Sequence, residues 1–357
     1  MTTKTVPTFH RNPDVERGVN YWQSVPATVD GVLGGYGNGT LPIVDAQGSR
    51  TFLLEMLPRL SAIAPASASS KSSSDNTVSD WLAERIQERG GSGKAVTRAL
   101  DCGAGVGRVT RDVLSKLVDI VHIVEPVESF LDAAKKQSSS WPSMNLPPSK
   151  TAFKARKAIH FHLSTLQAFD PAKPYSSSIS SNSKLSTKRI KLQPGSTESL
   201  YEPTLSVGEE GENNSNPTPG AIEAISKQEP IEYDVIWGQW CLQHLSDKDL
   251  IAFLERAKAC LRKSKLLSNN KEVSSNAVLD GSGIIVVKEN VLRATKDGSE
   301  QVWYDDEDHS ITRTPNAYER VFRQAGLEVV KTQLQLGLPE ELLPVQIWCL
   351  RIPASTT

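Results

Sequence analysis

The sequence predicts an α/β fold, a mostly parallel sheet covered by helices on both faces. Three observations predict it. Runs of strand formers alternate with helix-period segments between residues 94 and 351. The first strand ends in a glycine-rich turn, Asp101-Cys102-Gly103-Ala104-Gly105-Val106-Gly107-Arg108, which leads into a helix. The last two candidate strands, EVVKTQLQ and VQIWCLR, follow each other without a helix between them, which allows an antiparallel pair at one edge.

In chain order, residues 14–36 read as a helical lead-in and an ordered loop that turns at Gly34-Gly35. SRTFLLEMLPRL (49–60) reads as a short amphipathic helix stopped near Pro58. KAVTRALDCG (94–103) is the first strand, GRVTRDVLSKL (107–117) a helix, VDIVHIVEP (118–126) a strand and ESFLDAAKKQ (128–137) a helix. A strand lies within Phe153 to Leu163, with a short turn over Leu166 to Phe169. YDVIWGQW (233–240) is a strand. The helix over 246–263 is capped by Ser246, with Asp249 at the capping-box position. GIIVVKEN (283–290) is a strand, and 315–327 is a helix with Pro at its start and Gly near its end.

The Ser-, Gly- and Pro-rich stretches read as interruptions, since their small polar residues cannot bury enough apolar area to offset ordering entropy. The expected organisation is an N-terminal helical region at 1–60, a Ser/Ala-rich linker and helix at 61–93, and one main domain at 94–351. Low-complexity inserts break that domain at about 137–151, 171–230 and 264–280.

Lys plus Arg total 40 against 41 Asp plus Glu, a net charge of −1. That balance gives no general pull toward nucleic acid or an anionic membrane, and KRIK (188–191) is a short solvated run. The first residues lack the apolar core of a secretory signal, and no run reaches the roughly 18–20 apolar residues of a spanning helix. The four cysteines, at 102, 241, 260 and 349, lack metal-ligand spacing; three lie inside apolar runs and read as buried thiols, which fits a reducing compartment.

The glycines let backbone turn sharply and pass close to a ligand. Glu125, closing the second strand, can accept bonds from ribose hydroxyls. The order D-x-G-x-G-x-G differs from the dinucleotide pattern. Asp101, ahead of the glycines, suits a ligand with a cationic amino-acid end, such as a sulfonium nucleoside. Alone, the loop also fits a merely structural turn. No Walker lysine follows, which argues against nucleoside triphosphate hydrolysis.

Ligands in an open parallel sheet sit beyond the carboxyl ends of the strands. Trp240, His244 and Asn290 belong at that edge. Taken singly, Trp240 reads as a core aromatic, His244 as a capping or satisfied core histidine, and Asp305-Asp306-Glu307-Asp308 as a solvated loop. Together they suit a cationic peptide end. An α-amine must lose its proton before it can attack, so a proton acceptor has to stand within hydrogen-bond reach.

DCGAGVGRVT, YWQSVPATVDGVLGGYG, YDVIWGQWCLQHLSD, GIIVVKEN and YDDEDHSITR together resemble the signatures of the eukaryotic α-N-terminal protein methyltransferases, which modify the α-amine of X-Pro-Lys proteins. The resemblance covers most of 14–57 and 94–351 outside the inserts. It implies a Rossmann-like class I S-adenosylmethionine-dependent methyltransferase, with a seven-stranded sheet and an N-terminal helical lid. S-adenosyl-L-methionine would bind at Asp101, Gly103, Gly105, Gly107 and Arg108, with Gly103 and Arg108 on its amino-acid end. Glu125 takes the ribose place, where relatives often have Asp. Leu166 and Gln167 match residues beside the adenine, and Gln239 one near the methionine portion.

On the substrate side, the resemblance makes Asp308 the leading proton acceptor, with His244 assisting. Asn290 orients the amine, and Trp240 walls the substrate proline. Asp305 and Ser310 recognise the lysine at position three. Tyr21, Leu33 and Gly34 belong to the lid. The implied partners are protein N-termini such as those of ribosomal proteins, and a monomer is the default. The cytoplasm is the expected location, with the nucleus also open. Two rival readings stand: a methyltransferase of small molecules, and a non-catalytic interaction protein that kept the fold.

Overall fold

A computed structural model of the chain describes residues 11–61, 96–144, 158–175, 231–263 and 282–353. The expected linker at 61–93, apart from Ser61, and most of the three inserts lie outside those residues.

Seven strands form the sheet: β1 (Arg98–Cys102), β2 (Ile120–Glu125), β3 (Ala158–Leu163), β4 (Val235–Gln239), β5 (Ile284–Asn290), β8 (Glu328–Leu334) and β9 (Val345–Arg351). A separate ribbon pairs β6 (Val302–Tyr304) with β7 (Ile311–Arg313). The sheet order is β3-β2-β1-β4-β5-β9-β8. The first five strands run parallel, and β9 is antiparallel to both its neighbours. This is the seven-stranded, mostly parallel sheet that the sequence predicts. The central strands are buried on both faces, which explains their unbroken apolar runs. Strand β8 lies at the edge and is only partly buried.

Each face carries its own core. One packs the helices Asp247–Ala259 and Pro315–Gln324 through Phe253, Tyr318, Val321 and Phe322 against Leu100, Ile236 and Trp348. Tyr318, Val321, Phe322 and Ala325 recur at helical spacing, so one stripe of the second helix meets the sheet. The other face packs Phe52, Leu53, Val113 and Leu131 against Val121, Trp237 and Ile347.

Helices α1 (Val15–Ser24), α2 (Val29–Val32) and α3 (Leu41–Met56) precede the sheet. The Asp14 side chain caps α1 by accepting from Arg17 N–H, and Thr28 caps α2 by accepting from Gly31 N–H. Helix α3 begins at Leu41, eight positions before the expected start at 49, with Pro42 in its first turn. The polar residues of LPIVDAQG hide the early start, because Asp45 is itself buried.

Two further differences matter. Residues 137–144, expected in the first insert, belong to the core: the helix Glu128–Ser138 ends there and Trp141 is buried. The β6–β7 ribbon was not expected, because three-residue strands carry too little alternation to read. It presents the acidic stretch 305–308 on its connecting turn.

Register sets the site. Cys102 pairs with Val124 and Gly238, and Gly238 pairs with Val287. One step further along, Glu125 and the Gln239–Lys288 pair stand in a row at the carboxyl edge.

Candidate active site

A cleft opens over that edge and holds about 960 Å³ of non-protein space, its open mouth included. Strand ends and the segments that follow them contribute Gly103, Gly105, Arg108, Glu125, Leu166, Gln167, Gln239, Trp240 and His244, and the end of α2 contributes Leu33. These ten predicted residues are therefore brought together.

Gly103 and Gly105 have φ of 59° and 57°, the left-handed region that glycine tolerates. A Cβ on Gly103 would lie 2.3 Å from Cys241 Cβ, so the loop closes only with glycine there. Glu125 Oε2 accepts from Gly105 N–H at 2.7 Å, and Oε1 accepts from Val127 N–H at 2.9 Å. Each oxygen keeps a second lone pair that could meet a ribose hydroxyl. Burial pushes the Glu125 carboxyl up to about 7, against the pull of those two N–H groups.

S-adenosylmethionine fits this donor set. Gln167 Nε2 and Trp240 Nε1 are buried in the cleft wall without a hydrogen-bond partner among the described residues. Such orphaned donors suit a polar ligand. Behind the wall lies a buried charge network that sequence reasoning missed. Arg108 Nη1 donates to Asp45 Oδ2 at 2.5 Å, Lys288 Nζ lies 2.5 Å from Asp45 Oδ1, and Gln239 Nε2 donates to Asp45 at 2.9 Å. Lys288 also donates to Ser49 Oγ and Gln335 Oε1. Two cations face one anion, so a ligand carboxylate beside Arg108 would balance the set. The legible clue was Lys288-Glu289, two ionisable residues inside an apolar strand.

Two predicted cofactor residues stand elsewhere. Asp101 lies behind the loop, where Thr110 Oγ1 donates to it at 2.5 Å and burial raises its carboxyl to about 7. It does not line the cleft. Gly107 (φ 78°) serves packing, because a Cβ there would come 2.5 Å from the Trp141 ring.

Trp240 adopts φ 53°, a costly conformation for a bulky residue that marks a constrained position. Its ring lies against the Arg108 guanidinium, 5.3 Å from centroid to Cζ. The turn behind it is held by Glu289, whose Oε1 accepts from Cys241 and Leu242 N–H at 2.9 and 2.8 Å. Burial raises Glu289 to about 8.

His244 stands at the mouth, its Nε2 3.8 Å from Asp308 Oδ2, with the side chains 20% and 14% exposed. Burial pushes the imidazole below its ordinary value, against the raising pull of Asp308 and Asp305. Asp308 Oδ1 accepts from the N–H of Ser310, which is buried. Asp305 Oδ1 accepts from Glu307 N–H, and Tyr21 donates its hydroxyl to Glu307 at 3.3 Å. Thus Asp305, Asp308, Ser310 and Tyr21 gather around the ribbon's turn, outside the cleft lining. Asn290 ends β5 opposite Val345, and Gly34 (φ 59°) lies in the exposed turn after α2. Neither lines the cleft. Two more residues were missed: Gly18 and Trp22 of α1, which line it beside His244.

The model of the AdoMet-dependent proline di-methyltransferase family matches residues 11–75, 68–179 and 207–351. The chain is 30% identical to an alpha N-terminal protein methyltransferase 1 of Arabidopsis thaliana, over 94% of this chain and 78% of that one. It is 30% identical to the protein of the same name in Schizosaccharomyces pombe, over 95% of each. Identity to the N-terminal Xaa-Pro-Lys N-methyltransferase 1 of Bos taurus is 27%, over 93% and 92%. Among solved structures, a SAM-dependent methyltransferase of Leishmania major shares the fold at a TM-score of 0.52 and 22% identity, covering 94% of this chain and 82% of that one. With its glycine-rich loop, seven-stranded sheet and cleft, the chain belongs to the AdoMet-dependent proline di-methyltransferase family.

Proposed function

We propose that this protein methylates the α-amine of proteins that begin X-Pro-Lys once the initiator methionine is gone. The observation that carries the reading is one juxtaposition. The His244–Asp308 pair stands where the cofactor cleft meets an acidic turn. A cationic peptide end needs such carboxylates for attraction and such a pair for proton removal.

S-adenosylmethionine, when bound, supplies an electrophilic methyl carried on a sulfonium. Gly103, Arg108, Glu125, Leu166, Gln167 and Gln239 would hold it. The chain's own residues then do the rest. The Asp308 carboxylate takes a proton from the substrate ammonium and frees its lone pair for attack, with His244 assisting. Trp240 packs the substrate proline, whose ring fixes its shape in advance. Asn290 orients the amine, and Asp305 with Ser310 reads the lysine. The lid residues Tyr21, Leu33 and Gly34 help to fix the peptide and exclude water. After one transfer, the amine must shed another proton for the next. Chemistry allows three methyls on a primary amine and two on an N-terminal proline.

We further propose a monomer in the cytoplasm or nucleus, acting on N-termini such as those of ribosomal proteins. Mass spectrometry of a Ser-Pro-Lys peptide incubated with the methyl donor tests the central reading. Methyl groups should appear on the terminal nitrogen and vanish when that nitrogen is acetylated. Turnover of the acetylated peptide would refute it.

A further inference from the structure

Helix α1 touches His244 at two points one turn apart. Trp22 Nε1 donates to His244 Nε2 at 3.2 Å. Gly18 faces the other ring nitrogen, where a Cβ would lie 3.3 Å from Nδ1 and 3.1 Å from the Asp308 carbonyl oxygen. Positions i and i+4 share a helix face, so both contacts come from the side of α1 that lines the cleft.

The indole N–H can only donate. Its bond therefore requires a lone pair on His244 Nε2, and the neutral ring must carry its proton on Nδ1. The same Nε2 is 3.8 Å from Asp308 Oδ2, too far for a hydrogen bond. An Nε2–H tautomer would turn toward that carboxylate and cap it. Trp22 holds the ring in the state that leaves the carboxylate free.

We infer that Trp22 is a positioning residue: its N–H fixes the Nδ1–H tautomer of His244 and keeps Asp308 open to the substrate ammonium. In the step that follows, an N–H bond of the ammonium breaks, an O–H bond forms on Asp308, and the freed electron pair stays on nitrogen. The inference rests on the proposed function for its chemistry but not for its structure. The charged groups that act on the ring are Asp308 and Asp305, both on the ribbon turn. The carboxylates favour imidazolium, whereas the indole bond and burial favour the neutral ring.

Long-range 15N–1H spectra of histidine-labelled protein, with His244 assigned through His244→Gln, read the tautomer directly. The wild type should show Nδ1–H. Trp22→Phe keeps a ring and removes the donor. It should add Nε2–H, move the acid limb of the rate profile to higher pH, and lower kcat about tenfold with a smaller change in KM. An Nε2–H wild type overturns the inference, whether or not Trp22→Phe folds. So does a Trp22→Phe protein that loses rate while its tautomer and acid limb stay put. If the wild type methylates no peptide, the functional reading fails, yet the tautomer is still decided by the spectrum.

Discussion

Lys288 Nζ lies 2.5 Å from Asp45 Oδ1, and neither side chain has exposed surface. Burial raises the Asp45 carboxyl, but Arg108 and Lys288 outweigh it and hold the group below its ordinary value. Asp45→Asn would leave two buried cations facing each other. It should cost about 3–5 kcal/mol of stability, read from denaturant unfolding. Lys288→Met keeps the Asp45–Arg108 pair and should cost less. It should still weaken cofactor binding measured by titration calorimetry, because the surplus positive charge is gone.

Stability should depend on pH in two stages. Asp101, Glu125 and Glu289 have folded values raised to about 7, 7 and 8. The unfolded chain releases those protons near 4, so their contribution is complete below that pH and lost as pH rises to about 8. Burial lowers His122, His160 and His162, the last two to about 4 and 3. Their contribution is present above about 6.5 and lost as pH falls. The two sets oppose each other between about 4.5 and 6.5, and only the carboxyls act above that range. Urea midpoints should be nearly level from pH 5 to 6.5 and then fall to pH 8. Glu289→Gln should flatten the fall.

Asp308→Asn keeps the shape and removes the carboxylate proposed to accept the proton. Turnover on a Ser-Pro-Lys peptide should drop about 10²–10⁴-fold while the cofactor dissociation constant changes little. Single-turnover kinetics separates the two.

Gly18→Ala tests how closely the lid must approach. Alanine favours a helix by about 1 kcal/mol over glycine. Here its methyl would press on Asp308 O at 3.1 Å and on His244 Nδ1 at 3.3 Å. The melting temperature should hold or rise while kcat/KM falls.

Asp305→Ala should harm a lysine-three peptide more than a glutamine-three peptide in side-by-side kinetics. Equal loss on both would remove Asp305 from lysine recognition.

Much of this was legible because it depended on local chemistry. The glycine loop reads directly, since its φ values demand glycine. Trp240 and His244 read because a polar, aromatic cluster ends an apolar strand. The buried network did not read, because its partners are brought together only by folding. Asp45 meets Arg108 from 63 positions away and Lys288 from 243. Asp101 misled for a related reason: an acid beside a ligand loop looks the same in sequence whether it faces the ligand or a threonine behind it. Trp22 was visible in YWQS, but nothing local says that its N–H would meet a histidine 222 positions on.

The position of β9 has a consequence for biogenesis. Strand β5 is flanked by β4 and β9, so one of its hydrogen-bonding edges waits for residues 345–351. During synthesis, that edge is bare until residues 345–351 have emerged from the ribosome. The half-built intermediate is the species most exposed to edge-to-edge aggregation. A released chain truncated before residue 345 should therefore recruit chaperones more strongly than the released 357-residue chain.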